Sequence, residues 1–228
     1  MSLARADLES LLRTRQLDRT LTTAWPSQAP TDEYAMSATG VTGLDERLGG
    51  GFPRGQLSEI VGARSSGRMS LLLQMLAAAD ARGELVALVD VLDMLDVESA
   101  AAAGVDLDRL LWIRGHVAVN PGFCLDTNQR ALEQAVRALA LVLQAGTFGL
   151  VALDVGEAPA SAIRRLPFTT WLRLQRLIEG SRTTLILVSR ELVARSSAGV
   201  TLKLGIRNSE LRISEHVQID AQVIRARR

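Results

Sequence analysis

Residues 62–70 read Gly62-Ala63-Arg64-Ser65-Ser66-Gly67-Arg68-Met69-Ser70, "GARSSGRMS", and the fold turns on this stretch. Before it comes "GQLSEIVG", an apolar run of strand character, and after it "RMSLLLQMLAAADARG", which has the composition of a buried helix ending at Gly83. A strand, a loop with two glycines in the G-x-x-x-x-G spacing and a helix make the frame of a phosphate-binding loop. There, backbone N–H groups cradle phosphate, a lysine reaches the outer phosphates and a hydroxyl holds Mg²⁺. Gly62 and Gly67 supply the frame, but Arg68 stands in the lysine's place and Met69 in the hydroxyl's. Ser70, one residue later, points elsewhere on the helix. An arginine's planar fork is not a compact ammonium, so the chemistry of the loop is altered where its backbone is kept.

The pattern continues outward from this loop as alternating strands and helices. "ELVALVD", "LLWIRG", "FGLVALD" and "TTLILVS" are further apolar runs, separated by helical patterns in "VESAAAAGVDLDRL", "TNQRALEQAVRALALVLQAG" and "PFTTWLRLQRLIEG". The long helix is expected to take its cap at Asp126 or Thr127 and to stop at Gly146. In the last of them, Trp171, Leu172, Leu174, Leu177 and Ile178 read as a packed face. Continuous apolar strands alternating with helices predict an α/β fold: a central, mostly parallel sheet with helices on both faces. Near the end, "VTLKLGIRNSELRISEHVQI" alternates apolar and polar residues around Asn208-Ser209, which predicts an antiparallel C-terminal hairpin at a sheet edge.

Three segments follow from these patterns. Residues 1–36 form an N-terminal helical arm and a linker rich in proline, serine and threonine; residues 37–218 form the core; residues 219–228 form a loose basic tail ending in "RARR". The 228 residues, 47% of them hydrophobic, suffice for one core. Neither a signal peptide nor a membrane span is visible, and Cys124 is the sole cysteine, which together fit a cytoplasmic chain. His116 and His216 are too few and too far apart to suggest a metal site, so no metal is expected. Net charge is +1, and every basic residue but Lys203 is arginine, so no lysine lies near the glycine loop along the sequence.

These motifs carry a resemblance. "TGVTGLDERLGGGFPRGQLSEIVGARSSGRMSLLLQMLAAA", "GVDLDRLLWIRG" and the aspartate closing "GLVALD" resemble the RecA family over roughly residues 37–215. The altered loop together with "AAAGVDLDRLLWIRG" is most similar to ImuA, the RecA-like accessory protein of bacterial mutagenic translesion synthesis; SulA is a related, smaller member of that group. Within this resemblance Leu92 falls where the recombinases carry the glutamate that positions water, with Asp93 shifted by one. Arg190 falls where they carry a phosphate-sensing glutamine, and Asp154 matches the aspartate of the metal-associated strand. Single contributors to phosphoryl transfer are worth roughly 10³–10⁵ in rate, so losing several together leaves no useful hydrolysis and no expected nucleotide cofactor.

The resemblance implies two DNA-facing loops. Arg164 and Arg165 lie in the first, "GEAPASAIRRLP", and Arg190 and Arg195 in the second, "RELVARSSAG". They are candidates for weak, non-specific contact with DNA, or ordinary solvated arginines. The implied role is non-catalytic: a cytoplasmic, nucleoid-associated protein of the SOS response to DNA damage. Its implied partners are RecA, DNA, a polymerase-like mutagenesis subunit of the ImuB type and that subunit's replicative-polymerase companion, and it needs no membrane. A RecA-type ATPase using Arg68, and a SulA-like inhibitor of the division protein FtsZ, remain as alternatives.

Overall fold

A computed structural model describes residues 35–116, 125–194, 199–205, 211–214 and 217–226. The chain divides after Thr31, and all of these residues belong to the part Asp32–Arg228. Its centre is an eight-stranded sheet in the order β5-β4-β6-β7-β3-β8-β10-β9. The strands are β3 (Leu57–Gly62), β4 (Leu85–Asp90), β5 (Leu110–Arg114), β6 (Phe148–Asp154), β7 (Thr184–Ser189), β8 (Val200–Gly205), β9 (Leu211–Ser214) and β10 (Val217–Ala226). From β5 across to β8 every pairing is parallel, while β10 runs antiparallel to both β8 and β9. The α/β class and the mostly parallel sheet are those expected from the sequence.

Alternation along the central strands explains why both faces are covered. Val86, Leu88, Leu150, Ala152, Ile186 and Val188 point into one core, against Leu72, Met75 and Leu76 of helix α2 (Arg68–Ala81). Their neighbours Ala87, Val89, Val151, Leu153, Leu185 and Leu187 point into the other. That second core is closed by Leu132 and Leu139 of α4 (Leu125–Ala145) and by Trp171, Leu174 and Ile178 of α6 (Phe168–Ile178). Strands buried on both faces carry no polar alternation, which is why they read as unbroken apolar runs. Each buried leucine stabilises the fold by about 1.5–3 kcal/mol relative to leaving it exposed.

A small antiparallel pair, β1 (Met36–Ser37) with β2 (Phe52–Pro53), brackets helix α1 (Thr42–Leu48) ahead of the main sheet. Asp45 accepts hydrogen bonds from the Thr39 N–H at 2.7 Å and the Thr39 hydroxyl at 2.8 Å, fixing the entry to α1. The glycine run after α1 is sterically required: Gly51 has φ +120°, and a Cβ there would run into the Ser37 carbonyl. Phe52, fully buried, then plugs the α2 side of the sheet.

Several expectations shift. The C-terminal hairpin exists, but its members are β9 and β10; β8 takes β10 as partner and is itself parallel to β3. The segment assigned to a loose tail from residue 219 is largely β10, because the open edge of β8 supplies partners for its N–H and C=O groups. At the other end Met36 already lies in β1, and the Arg54 N–H donates to the Ala35 carbonyl, so the ordered core also reaches slightly before residue 37. Helix α4 begins at Leu125, which places Asp126 and Thr127 inside its first turn and not at its cap. On α6, Trp171, Leu174 and Ile178 are buried, whereas Leu172 and Leu177 face outward. The arm itself, residues 1–34, lies outside the described residues.

Candidate functional site

The glycine loop joins β3 to α2 at the carboxyl end of the sheet. Ser65 has φ +63° and Gly67 φ +86°, so the loop turns through two left-handed residues before the helix starts. Gly62 has no room for a side chain, since a Cβ there would collide with the Ser66 hydroxyl. That hydroxyl is buried and has no hydrogen-bond partner among the described residues. The backbone frame of the motif is therefore present at Gly62 and Gly67.

Its side chains are used differently. The Arg68 guanidinium is buried, donates to the Gly62 carbonyl at 2.5 Å and forms an ion pair with Glu157 in the loop that follows β6. It lies against Gly156, where a Cβ would come within 2.7 Å of its Nη2 atom, so only glycine leaves it space. One arginine thus ties the glycine loop to the loop after Asp154. Met69, in the hydroxyl's place, packs its side chain on the core beside α2.

Two carboxylates close neighbouring strands, since Asp90 and Asp154 are register partners at the ends of β4 and β6. Both are engaged with backbone. Asp90 accepts from the N–H groups of Met94 at 2.7 Å, Leu95 at 2.8 Å and Leu92 at 3.3 Å. Asp154 accepts from the Gly156 N–H at 2.8 Å. Burial pushes the Asp154 carboxyl up to about 6; the nearby Asp90 adds to this, while the Gly156 hydrogen bond and the charge of Arg68 oppose it. Leu92 packs against the second core. Asp93, with φ +56°, turns its carboxylate to Arg114 in a bidentate pair at 2.6 and 2.7 Å, and Arg114 lies over the Trp112 ring at 4.7 Å.

Three of the arginine candidates converge. Arg164, Arg165 and Arg190 all line one cavity of about 1070 Å³ between the segments that follow β6 and β7. Arg164 and Arg165 sit on a short helix, α5 (Ala160–Arg165), where a loop was expected from the sequence. The Pro159 C=O accepts the N–H groups of Ala162 and Ile163, and burial of Ala162 fixes the turn against the core. Arg164 lies 3.7 Å from Glu191, and Arg190 lies 4.0 Å from Glu157. Arg195 falls outside the described residues.

Two residues at this site were not singled out in the sequence. Glu157 is one; the other is Glu59, fully buried in β3, whose Oε1 accepts from the Val193 N–H at 2.6 Å and the Ala194 N–H at 3.2 Å. Burial raises the Glu59 pKa, and these two hydrogen bonds pull against the rise. The available signal was a charged residue inside an otherwise apolar strand.

Known proteins give the same frame. The profile of the family described as RecA N-terminal domain matches residues 26–156. The chain is 37% identical to Protein RecA of Clavibacter michiganensis over 155 residues, which are 65% of this chain and 39% of that protein. It is 36% identical to Protein RecA of Desulfovibrio desulfuricans over 169 residues, covering 72% of this chain and 45% of that protein. With Protein RecA of Leifsonia xyli it shares 30% identity over 205 residues, covering 81% and 54%. The chain thus spans about half the length of these curated relatives, or less. The matched range runs from ahead of β1 to the Gly156 that receives Arg68, and it includes the whole glycine loop. On this match, and on the parallel sheet with its strand–glycine loop–helix unit, the chain belongs to the RecA N-terminal domain family.

Proposed function

We propose that this chain is a non-catalytic RecA-like accessory protein of DNA damage tolerance, acting in mutagenic translesion synthesis by binding partners and not by turning over nucleotide. The observation that carries the reading is the fate of Arg68. Its guanidinium is buried and committed to the Gly62 carbonyl and to Glu157, so reaching a phosphate means giving up both contacts.

A magnesium nucleotide fits the residues present poorly on two further counts. Met69 places a core-packed thioether where Mg²⁺ needs a hydroxyl, and Leu92 offers no carboxylate to orient water. Asp154, the matching acid, is held by the Gly156 N–H in a buried setting that disfavours its charge. No catalytic step is assigned to these residues. The proposed partners are those the ImuA resemblance implies: RecA itself, DNA, and a polymerase-like subunit with its replicative-polymerase companion, in a cytoplasmic, nucleoid-associated setting. Among the described residues no helix is long and apolar enough to cross a membrane.

The test is phosphate release by the purified full chain with ATP and Mg²⁺, with and without single-stranded DNA. The expected result is background release that does not change in Arg68→Ala. Steady turnover abolished by that substitution would overturn the reading in favour of an arginine-based ATPase.

A further inference from the structure

A cavity opens between the segments following β6 and β7, bordered by Gly62 of β3 and Lys203 of β8. Its volume of about 1070 Å³ slightly exceeds the range of about 300–1,000 Å³ for small-molecule sites, which leaves room for a short stretch of polypeptide. The walls are aliphatic: Ile163 and Leu166 on one side, Leu192 and Val193 on the other. Leu192 is 54% exposed, and Phe168 stands 39% exposed at the mouth, so bulky apolar surface is open to solvent. Arg164, Arg165, Arg190 and Lys203 line the same cavity, against the carboxylates of Glu157 and Glu191. Glu157 is already neutralised by the buried Arg68, so the mouth carries a positive excess that a chain charge of +1 conceals.

One wall is pre-formed. Glu59 holds the Val193 and Ala194 N–H groups, and the Ser189 hydroxyl donates to the Glu191 carbonyl at 2.8 Å, so the segment after β7 is pinned from beneath. A rigid wall lowers the ordering cost of binding.

We propose that this groove docks an acidic peptide segment of a partner protein, a bulky apolar side chain seated between Ile163 and Leu192 and flanking aspartate or glutamate meeting the rim cations. The proposal deepens the accessory role above and rests on its premise that the chain works by binding. Charge complementarity chooses an anionic occupant, and the walls choose a peptide over single-stranded nucleic acid. A strand of bases needs a series of exposed aromatic faces to stack on, whereas Trp171 is 2% exposed and Phe168 is the one exposed aromatic among the lining residues described. A continuous line of phosphates also has to pass the exposed Glu191 beside Arg164. A peptide can place its carboxylates around that charge.

The experiment titrates the full chain against a fluorescein-labelled peptide of alternating acidic residues with leucine and phenylalanine, read by anisotropy. A peptide with lysine for every acidic residue and an oligothymidylate serve as comparisons. The expected result is acidic-peptide binding that weakens about tenfold in Leu192→Asp and about tenfold in Arg164→Glu, with melting temperatures near wild type because both side chains are exposed. No binding of the acidic peptide by wild type, or binding untouched by Leu192→Asp, overturns the proposal. So does tighter binding of oligothymidylate that is lost in Arg164→Glu and kept in Leu192→Asp, which makes the rim a nucleic-acid surface. Phosphate release measured on the same preparation separates the two readings. Turnover with peptide binding overturns the non-catalytic role alone, and silence without peptide binding overturns the groove alone.

Discussion

The glycine loop and the groove share a border at Gly62 and Ala63, yet they use arginine in opposite ways. In the loop, the Arg68 side chain is 9% exposed, with a carbonyl and a carboxylate as partners. In the groove, Arg164 and Arg190 are 69% and 58% exposed and meet carboxylates only at 3.7 and 4.0 Å. A buried, doubly bonded guanidinium is part of the fold, whereas an exposed one at long range is held weakly and remains available. At one end of the sheet, the loop that the family's motif marks holds its arginine in internal contacts, and an open cavity lined by exposed arginines lies beside it.

The sharpest way to break this comparison is to remove Arg68. Arg68→Ala leaves Glu157, four-fifths buried, with only the distant Arg190 at 4.0 Å, and empties the space beside Gly156. Breaking a buried pair from one side costs about 3–5 kcal/mol, and the residual exposure of Glu157 points to the low end, about 3 kcal/mol. For a domain of this size that is a fall of roughly 6–12 °C in Tm. Arg164→Ala is expected to change stability by less than about 0.5 kcal/mol, as its exposed pair with Glu191 predicts. Equal effects of the two substitutions in denaturant titrations would erase the distinction.

A second effect, no larger than the first, sharpens the same point through pH. Asp154 ordinarily titrates near 3.8, and in the fold it is raised to about 6, chiefly by burial. The folded state therefore holds this proton more tightly than the unfolded chain. The stability linked to it is fully present below pH 3.8 and is lost as pH rises through about 6. Asp154→Asn keeps an acceptor for the Gly156 N–H and removes the ionisation. The variant is expected to gain up to about 3 kcal/mol over wild type at pH 8 and almost nothing near pH 4, from urea titrations across that range. Glu59, raised in the same direction, is present in both proteins and cancels in the difference. A gain independent of pH would mean that Asp154 is already charged without cost.

How much of this was legible beforehand differs by region for physical reasons. The central strands were visible because burial on both faces leaves unbroken apolar runs, and the loop because its glycines meet a steric need at Gly62 and Gly67. Strand neighbours were not visible: hydrophobic pattern marks a strand without saying which edge it joins, so β10 was mistaken for a tail through its terminal arginines. Helix α5 was hidden by its length and by the prolines on either side. The partner of Arg68 lay 89 residues away, beyond any local pattern, although Gly156 next to it was a quiet sign of a close approach. Glu59 passed unmarked although it is a charge in an apolar strand, because its role depends on a loop that only the fold brings over it.

The smallest expected effect is the most demanding for the comparison. If the loop has become structure, restoring its two motif side chains in Arg68→Lys with Met69→Thr should leave phosphate release at background. Lysine gives back a compact cation and threonine a hydroxyl, but Leu92 still faces the core and Arg190 still lines the groove. Water then lacks a carboxylate to orient it, and such single contributors are worth roughly 10³–10⁵ in rate. The substitution also gives up the Arg68 bridge, so part of the roughly 3 kcal/mol lost in Arg68→Ala is expected to be lost here too. The measurement is steady-state phosphate release at a temperature where circular dichroism shows the variant folded. Turnover well above background would mean that the groove-side residues already support catalysis, and that the loop's two altered side chains were all that silenced it.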